Sequence, residues 1–280
     1  MKKITSLKKL ICIMLLPILV FGLASCGGTK TGDNKDTAKN TSSDWEYIKS
    51  NGKLVIGYTV YDPMNYFEGS EFVGFDTEFA KAVCEKLGIE PDFVEINWDT
   101  KETELKAKSI DCIWNGFTIN EERKKNLEFT KPYIENKQVV VVKKSNADKY
   151  KDTASLSGAN LVAETSSAGE DAIKDDENLS KATYTAVPKQ TDGLLEVKSG
   201  TADAVVLDYT LANAMVGDGT DYADLTIVDG LDLAVEDYGI GFRKGSDMAE
   251  KVNGVIDELL QDGTLQKIAE KYELSAILIK

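Results

Sequence analysis

The 280-residue chain contains no histidine. That absence removes the Ser-His-Asp and Cys-His arrangements of nucleophilic catalysis, and with them every metal site that needs an imidazole. Cysteine is nearly as scarce. Of four cysteines, Cys12 and Cys26 belong to the N-terminal segment, so only Cys84 and Cys112 remain as thiols beyond it. That pair fits one disulfide or two buried free thiols, and the sequence does not choose between them. There is no Cys-x-x-Cys, no glycine-rich phosphate loop and no EF-hand spacing. Gly239-Ile-Gly241 is a fragment of a dinucleotide motif without its third glycine. Neither a cofactor nor a metal is expected.

The sequence also has no apolar run at its start long enough for a comfortable membrane span. Leu10–Leu23 is 14 residues, interrupted by Pro17 and Gly22, where a spanning helix needs about 20. Preceded by Lys2, Lys3, Lys8 and Lys9, it suits the core of a signal peptide over residues 1–25. It ends in Leu23-Ala24-Ser25-Cys26-Gly27, which resembles the lipobox of bacterial lipoproteins and implies that Cys26 carries the lipid. The alternative is an ordinary secretory signal with Cys26 incidental. Gly27–Ser43 has no apolar residue larger than Ala38, so residues 26–44 are expected to form a flexible tether, with folding proper beginning near Trp45. Removal of the signal takes four lysines and no acid from 33 basic and 47 acidic residues, leaving a formal charge of −18. Such a surface argues against nucleic acid and against electrostatic docking on anionic lipid.

Beyond the tether, strands and helices alternate. Leu54–Tyr58 reads as a buried strand, and Phe75, Phe79, Ala82, Val83 and Leu87 form one stripe of a helix that Gly88 ends. A strand near Asp92–Glu95, a helix over Glu102–Lys108 and strands Ile110–Trp114 and Gln138–Lys143 follow. The cycle then starts afresh, with strands at Asn160–Ala163, Thr183–Val187 and Ala204–Leu207. Helices at Ala168–Lys174, Thr191–Ser199 and Tyr209–Met215 separate and follow them. Strand Tyr238–Phe242 and helices near Met248–Leu260 and Gly263–Tyr272 close the chain. This pattern predicts an α/β architecture of largely parallel sheets in two lobes.

A free amino acid needs a bidentate cation and N–H groups for its carboxylate, a carboxylate for its ammonium, and a shaped pocket for its side chain. Residues 51–272 offer all three, and here the sequence resembles the polar-amino-acid family of bacterial solute-binding proteins, which includes glutamine- and lysine/arginine/ornithine-binding proteins. The matching stretches include Gly57-Tyr-Thr-Val-Tyr61-Asp-Pro63, Gly74-Phe75-Asp76, Ser109–Thr118, Glu122-Arg123, Phe129–Tyr133, Ala204–Asp208 and Tyr238–Gly245. The resemblance implies the type II periplasmic-binding-protein fold: two lobes, each a mainly parallel sheet flanked by helices, with two crossover strands as hinge. Lobe 1 would be 45–141 plus 236–280, lobe 2 would be 145–231, and the hinge would lie near 140–145 and 231–237.

By position, the resemblance makes Arg123 the carboxylate-binding arginine, assisted by Thr118 and, on the other lobe, by Thr165 and Ser166 at the start of a helix. Asp208, with Asn115 and Gly116, would hold the ammonium, although Asp208 also suits an N-cap. Tyr58, Tyr61, Trp98 and Phe117 would form the side-chain pocket. Glu164 departs from the glycine often found just before the Thr165-Ser166 pair, and an acid is missing at Tyr58, where some proteins specific for basic amino acids carry one. The implied partners are a free amino acid, the permease subunits of an ABC importer and membrane lipid through Cys26, with the protein a monomer on the outer face of the cell membrane. Two other readings share the fold: a periplasmic enzyme similar to cyclohexadienyl dehydratase, and a ligand-presenting subunit of a receptor.

Overall fold

The structure, a computed structural model, describes residues 43–280. Residues 1–42, and with them the expected signal peptide, Cys26 and nearly all of the tether, lie outside the described residues. Ser43 caps the first helix, its hydroxyl accepting from the Glu46 N–H at 3.2 Å.

The first run of elements is α1 (Asp44–Asn51), β1 (Lys53–Tyr58), the hairpin of β2 (Tyr66–Glu68) and β3 (Glu71–Val73), α2 (Phe75–Leu87), β4 (Glu90–Glu95), α3 (Lys101–Lys106), β5 (Cys112–Thr118), α4 (Glu121–Asn126) and β6 (Leu127–Phe129). Strand β7 (Ile134–Lys143) leads to a second run: α5 (Thr153–Leu156), β8 (Asn160–Glu164), α6 (Ala168–Asp175), β9 (Thr183–Val187), α7 (Gln190–Ser199), β10 (Ala204–Asp208) and α8 (Tyr209–Met215). Strand β11 (Leu225–Arg243) returns to the first run, where α9 (Met248–Gln261) and α10 (Thr264–Lys271) close the chain.

Strand order is β4-β1-β5-β11-β7-β10-β8-β9, with β6 also on β11. Within β4-β1-β5 and within β10-β8-β9 all pairing is parallel, whereas β7 and β11 pair antiparallel with each other and with their neighbours. Two parallel trios of the same order, first strand in the middle, are thus joined through one antiparallel pair. The carboxyl ends of β5 and β10 are where ligands sit in open α/β sheets.

Both faces of each trio are covered, which is why these strands read as continuous apolar runs. On β10, Val205 and Leu207 pack into one core cluster while Ala204 and Val206 pack into another. On β5, Cys112 and Trp114 face the cluster that holds α2 and α9, and Ile113 and Phe117 face the opposite one. Helix α2 buries Phe75, Phe79 and Val83 one turn apart and stops at Gly88, whose φ of 68° is the left-handed cap expected of glycine. At its other end Gly74 has φ 128°, and a Cβ there would lie 2.2 Å from the Met64 carbonyl oxygen, so only glycine fits.

Two expectations change, and one open alternative is decided. Strand β5 runs to Thr118 rather than stopping at Trp114, because β11 pairs with it as far as Tyr238↔Thr118. Strand β7 pairs with β10 from Gln138 to Val142, and Val140 and Val142 pack with Leu156 and Leu161 of the second half. The first passage between halves is therefore at 134–138, earlier than 140–145. Of the alternatives for the cysteine pair, the structure has two free, buried thiols. Burial pushes the Cys84 thiol up to about 12 and that of Cys112 well above its usual range, which keeps both protonated and inert.

Candidate ligand-binding site

Arg123 sits in the first turn of α4, where Asn120 caps the helix by accepting from the Arg123 N–H at 2.8 Å. The surrounding charged run, Glu121, Glu122, Lys124 and Lys125, is exposed, yet Arg123 turns inward and is only 6% exposed. Its guanidinium carbon lies 4.7 Å from the Phe117 ring centroid, and Nη1 donates to the Thr118 carbonyl at 2.8 Å. Among the described residues no carboxylate lies within 4.0 Å of it. Burial works against its charge, opposed at longer range by Asp171, Glu236 and Asp208. A guanidinium offers five donors. Here one carbonyl and one aromatic face are what the protein supplies.

Helix α6 faces it from the other half. Thr118, Asn120, Ala168 and Asp171 line a cavity of about 470 Å³ together with Glu236. A second cavity of about 310 Å³, lined by Arg123, Lys101, Ser166 and Asp171 among others, shares Asn120 and Asp171 with it. The helix begins at Ala168, as the sequence indicated, and Thr165 and Ser166 precede its cap. Its cap is Ser167, whose hydroxyl accepts from the Glu170 N–H at 3.1 Å. The Thr165 N–H instead donates to the Val187 carbonyl at 2.9 Å. Ser166 adopts φ 59°, so the position that favours glycine in this turn is 166, not 164. The N–H groups of Ala168 and Gly169 have no acceptor within the helix and point out of its positive end.

The halves touch around this gap. The Lys101 ammonium donates to the Ser166 carbonyl at 2.9 Å and to the Trp98 carbonyl at 3.0 Å. Ser166 Oγ donates to Asp99 at 2.7 Å, and Lys189 pairs with Glu95 at 3.0 Å. The last pair is exposed and worth about 0–1 kcal/mol. The Lys101 clasp is buried, and its loss leaves two carbonyls without a donor.

Asp208 occupies the N-cap position of α8, but its side chain makes no capping bond. It turns inward, accepting from Asn136 Nδ2 at 2.9 Å, Gln138 Nε2 at 2.7 Å and the Tyr238 hydroxyl at 2.8 Å on one oxygen, and from the Gln190 amide on the other. Asn136 and Gln138 also donate to Glu236, at 2.6 Å and 2.8 Å. Two carboxyls therefore share two amides where β7 and β11 cross, and burial followed by Asp208 raises Glu236 well above the usual carboxylate range.

The other expected site residues divide. Asn115 is occupied by Thr59 and Asn65, donating to Thr59 Oγ1 at 2.7 Å and accepting from Asn65 Nδ2 at 2.9 Å. The Gly116 N–H donates to Asp76 at 2.7 Å and so is engaged within the protein. Trp98 packs edge-on against Phe117 at 5.5 Å, beside Arg123. Tyr58 does not join them. It packs on Phe72 and Phe93. Tyr61 is core, its hydroxyl bonded to Thr210 and to Tyr238, one step from Asp208.

Sequence reasoning did not single out Lys101, Glu236, Asn136, Gln138 or Gln190. Asn136 and Gln138 alternate with the charged Glu135 and Lys137 in a continuous polar run, so no period-two pattern of polarity marked them as inward-facing. Glu164 was noted only as a departure. It is 5% exposed, pushed up to about 8 by burial and then by Asp208.

The family of bacterial extracellular solute-binding proteins, family 3, matches this chain over residues 54–275. The chain belongs to that family. Among its relatives, the arginine-binding extracellular protein ArtP of Bacillus subtilis is 27% identical over 95% of this chain and 98% of its own length. The L-cystine-binding protein TcyJ of Escherichia coli is 30% identical over 80% of this chain and 84% of its own. A crystal structure of a mutant of ArgBP from T. maritima superposes with a TM-score of 0.75 at 35% identity, covering 81% of this chain and 98% of that one. The fold is that of the type II periplasmic binding proteins, and the two trios of strands are its lobes.

The buried charges of this family 3 protein set the sign of its pH dependence. Glu164 holds its proton to about 8 in the folded state against a usual 4.5. The folded chain then binds more protons than the unfolded one between these values, so stability falls as pH rises through the window. Denaturant unfolding without added ligand should show wild type losing more stability between pH 5 and pH 8 than Glu164→Gln does. Equal losses would mean that Glu164 ionises in the fold as freely as in water.

Proposed function

We propose that this protein is an extracytoplasmic lipoprotein that closes its two lobes on a free amino acid and hands it to the permease of an ABC importer. The observation that carries the reading is Arg123, a buried guanidinium with a single carbonyl partner. A ligand carboxylate there accepts the forked pair of charge-assisted bonds that the guanidinium geometry favours. The N–H groups of Ala168 and Gly169 at the start of α6 supply the opposing donors. The ammonium goes to Asp208, whose Oδ2 takes one amide and retains acceptor capacity. The side chain lies along Trp98 and Phe117.

Because the carboxylate is held from both lobes, binding favours the closed arrangement through contacts that an open one lacks. The passages between lobes, 134–138 on β7 and the facing part of β11, serve as the hinge. Membership of the family and relatives named as binding proteins favour binding over catalysis. Lipidation of Cys26 would keep the lobes at the membrane, within reach of the permease.

The site is tested by screening the twenty amino acids and cystine by thermal shift, then titrating the best by calorimetry. Arg123→Ala should weaken binding by about 2–5 kcal/mol, roughly 30- to several-thousand-fold in Kd, and Arg123→Lys should recover only part. Wild-type affinity in both variants would refute the carboxylate role. For the anchor, wild-type protein made in a bacterial host should incorporate labelled palmitate and partition into detergent, and Cys26→Ala should do neither. Unlabelled, water-soluble wild type would show that Cys26 is incidental.

A further inference from the structure

We propose that Lys101 is a positioning residue that latches the two lobes together and slows the release of whatever amino acid the cleft holds. This rests on the reading of the cleft as an amino-acid site. Lys101 opens α3 on lobe 1, yet it is only 4% exposed. Its ammonium donates to the Trp98 carbonyl within lobe 1 and to the Ser166 carbonyl of lobe 2. It also lies 4.6 Å from the Trp98 ring centroid. Among the described residues no carboxylate lies within 4.0 Å of it. Burial, then Arg123, lowers it to about 8, so at neutral pH both bonds are charge-assisted.

What the latch grips is a strained turn. Ser166 holds φ 59° with a side chain in place, a conformation that persists where the surroundings over-determine it. Its N–H donates to Glu170 of its own lobe at 2.7 Å. Its other two polar groups go to lobe 1, the carbonyl accepting from Lys101 and the hydroxyl donating to Asp99. Parting the lobes removes both of these at once. Each end of the latch is a protein group, so its contribution to closure is the same for every ligand. A direct bond from Lys101 to the ligand is the competing role, because Lys101 lines the cavity of about 310 Å³ with Arg123. Such a bond to a ligand side chain would favour some ligands over others. Such a bond to the α-carboxylate would owe nothing to Asp99, an exposed acid whose role here is to hold Ser166.

Stopped-flow tryptophan fluorescence on the intact chain separates these roles, using the two tightest-binding of the twenty amino acids that differ in side-chain chemistry. Lys101→Met should raise the dissociation rate about tenfold or more, by the same factor for both ligands. The association rate should change by less than about twofold, since the latch forms after the ligand has entered. Asp99→Ala should raise dissociation by about twofold or more, and Lys101→Arg should retain part of the latch. Thermal unfolding without ligand establishes that each variant is folded. A wild-type dissociation rate in folded Lys101→Met, or factors that differ more than about threefold between the ligands, would overturn the latch. So would a dissociation rate unchanged in Asp99→Ala, and that variant decides the matter if Lys101→Met does not fold. All three results leave the amino-acid site standing. No signal with any amino acid would overturn the site reading itself, and the latch with it.

Discussion

A guanidinium buried without a carboxylate is the constraint around which this molecule is arranged. Isolated charge is tolerated in a protein interior only when its donors are met. Arg123 is held by the Phe117 ring and the Thr118 carbonyl, which orient it and leave most of its donors facing the other lobe. Strand β5 provides that platform because it is buried along its whole length. Asp76 fixes it from behind by accepting from the Gly116 N–H. The same carboxylate accepts from the Tyr133 hydroxyl at 3.1 Å, and burial raises it to about 7. The interior thus spends polar groups on holding one strand end in place, as preorganised sites do.

Closure follows from the same economy of charge. Among the described residues the polar contacts made directly between lobes are few: the Lys101 clasp, Ser166 to Asp99, Tyr61 to Thr210 and one exposed ion pair. Contacts of this size hold a closed form only modestly. In the proposed reading, a zwitterion held by Arg123 on one lobe and Asp208 on the other would add the larger share, making ligand capture and closure one event. The shared amides of Asn136 and Gln138 put the Asp208–Glu236 pair at the passage between lobes. The proposed ammonium ligand and the strands that pass between the lobes are therefore joined in one hydrogen-bond network.

How much of this was legible varied with the kind of signal. Where a period and a stop coincide, as in α2 with Gly88, or where an apolar run is bounded by polar residues, as in β10, the sequence specified the element almost to the residue. Helix α4 left no such mark, because Glu121–Asn126 is charged on nearly every face and only Arg123 turns inward. The true length of β11 was hidden by Asp229-Gly230, a turn signal that the strand absorbs as an irregularity in its pairing. The start of α6 at Ala168 was legible, but the left-handed turn at Ser166 just before it was not, because no glycine announces it. Arg123, Trp98 and Phe117 came from motif position and lie together in the fold. Tyr58 was drawn in by the same motif, but its ring completes an aromatic cluster with Phe72 and Phe93. Glu236, Gln138 and Lys101 depend on which strands cross and which lobes meet, and no local pattern encodes that.

What meets Arg123 decides the function of the cleft. A crystal structure with the tightest-binding amino acid should place both oxygens of its α-carboxylate about 2.7–3.2 Å from the Arg123 guanidinium nitrogens, with the Ala168 and Gly169 N–H groups opposite and the ammonium on Asp208. A ligand bound between the lobes with its carboxylate turned away from Arg123, or bound outside the cleft altogether, would contradict the carboxylate role of Arg123.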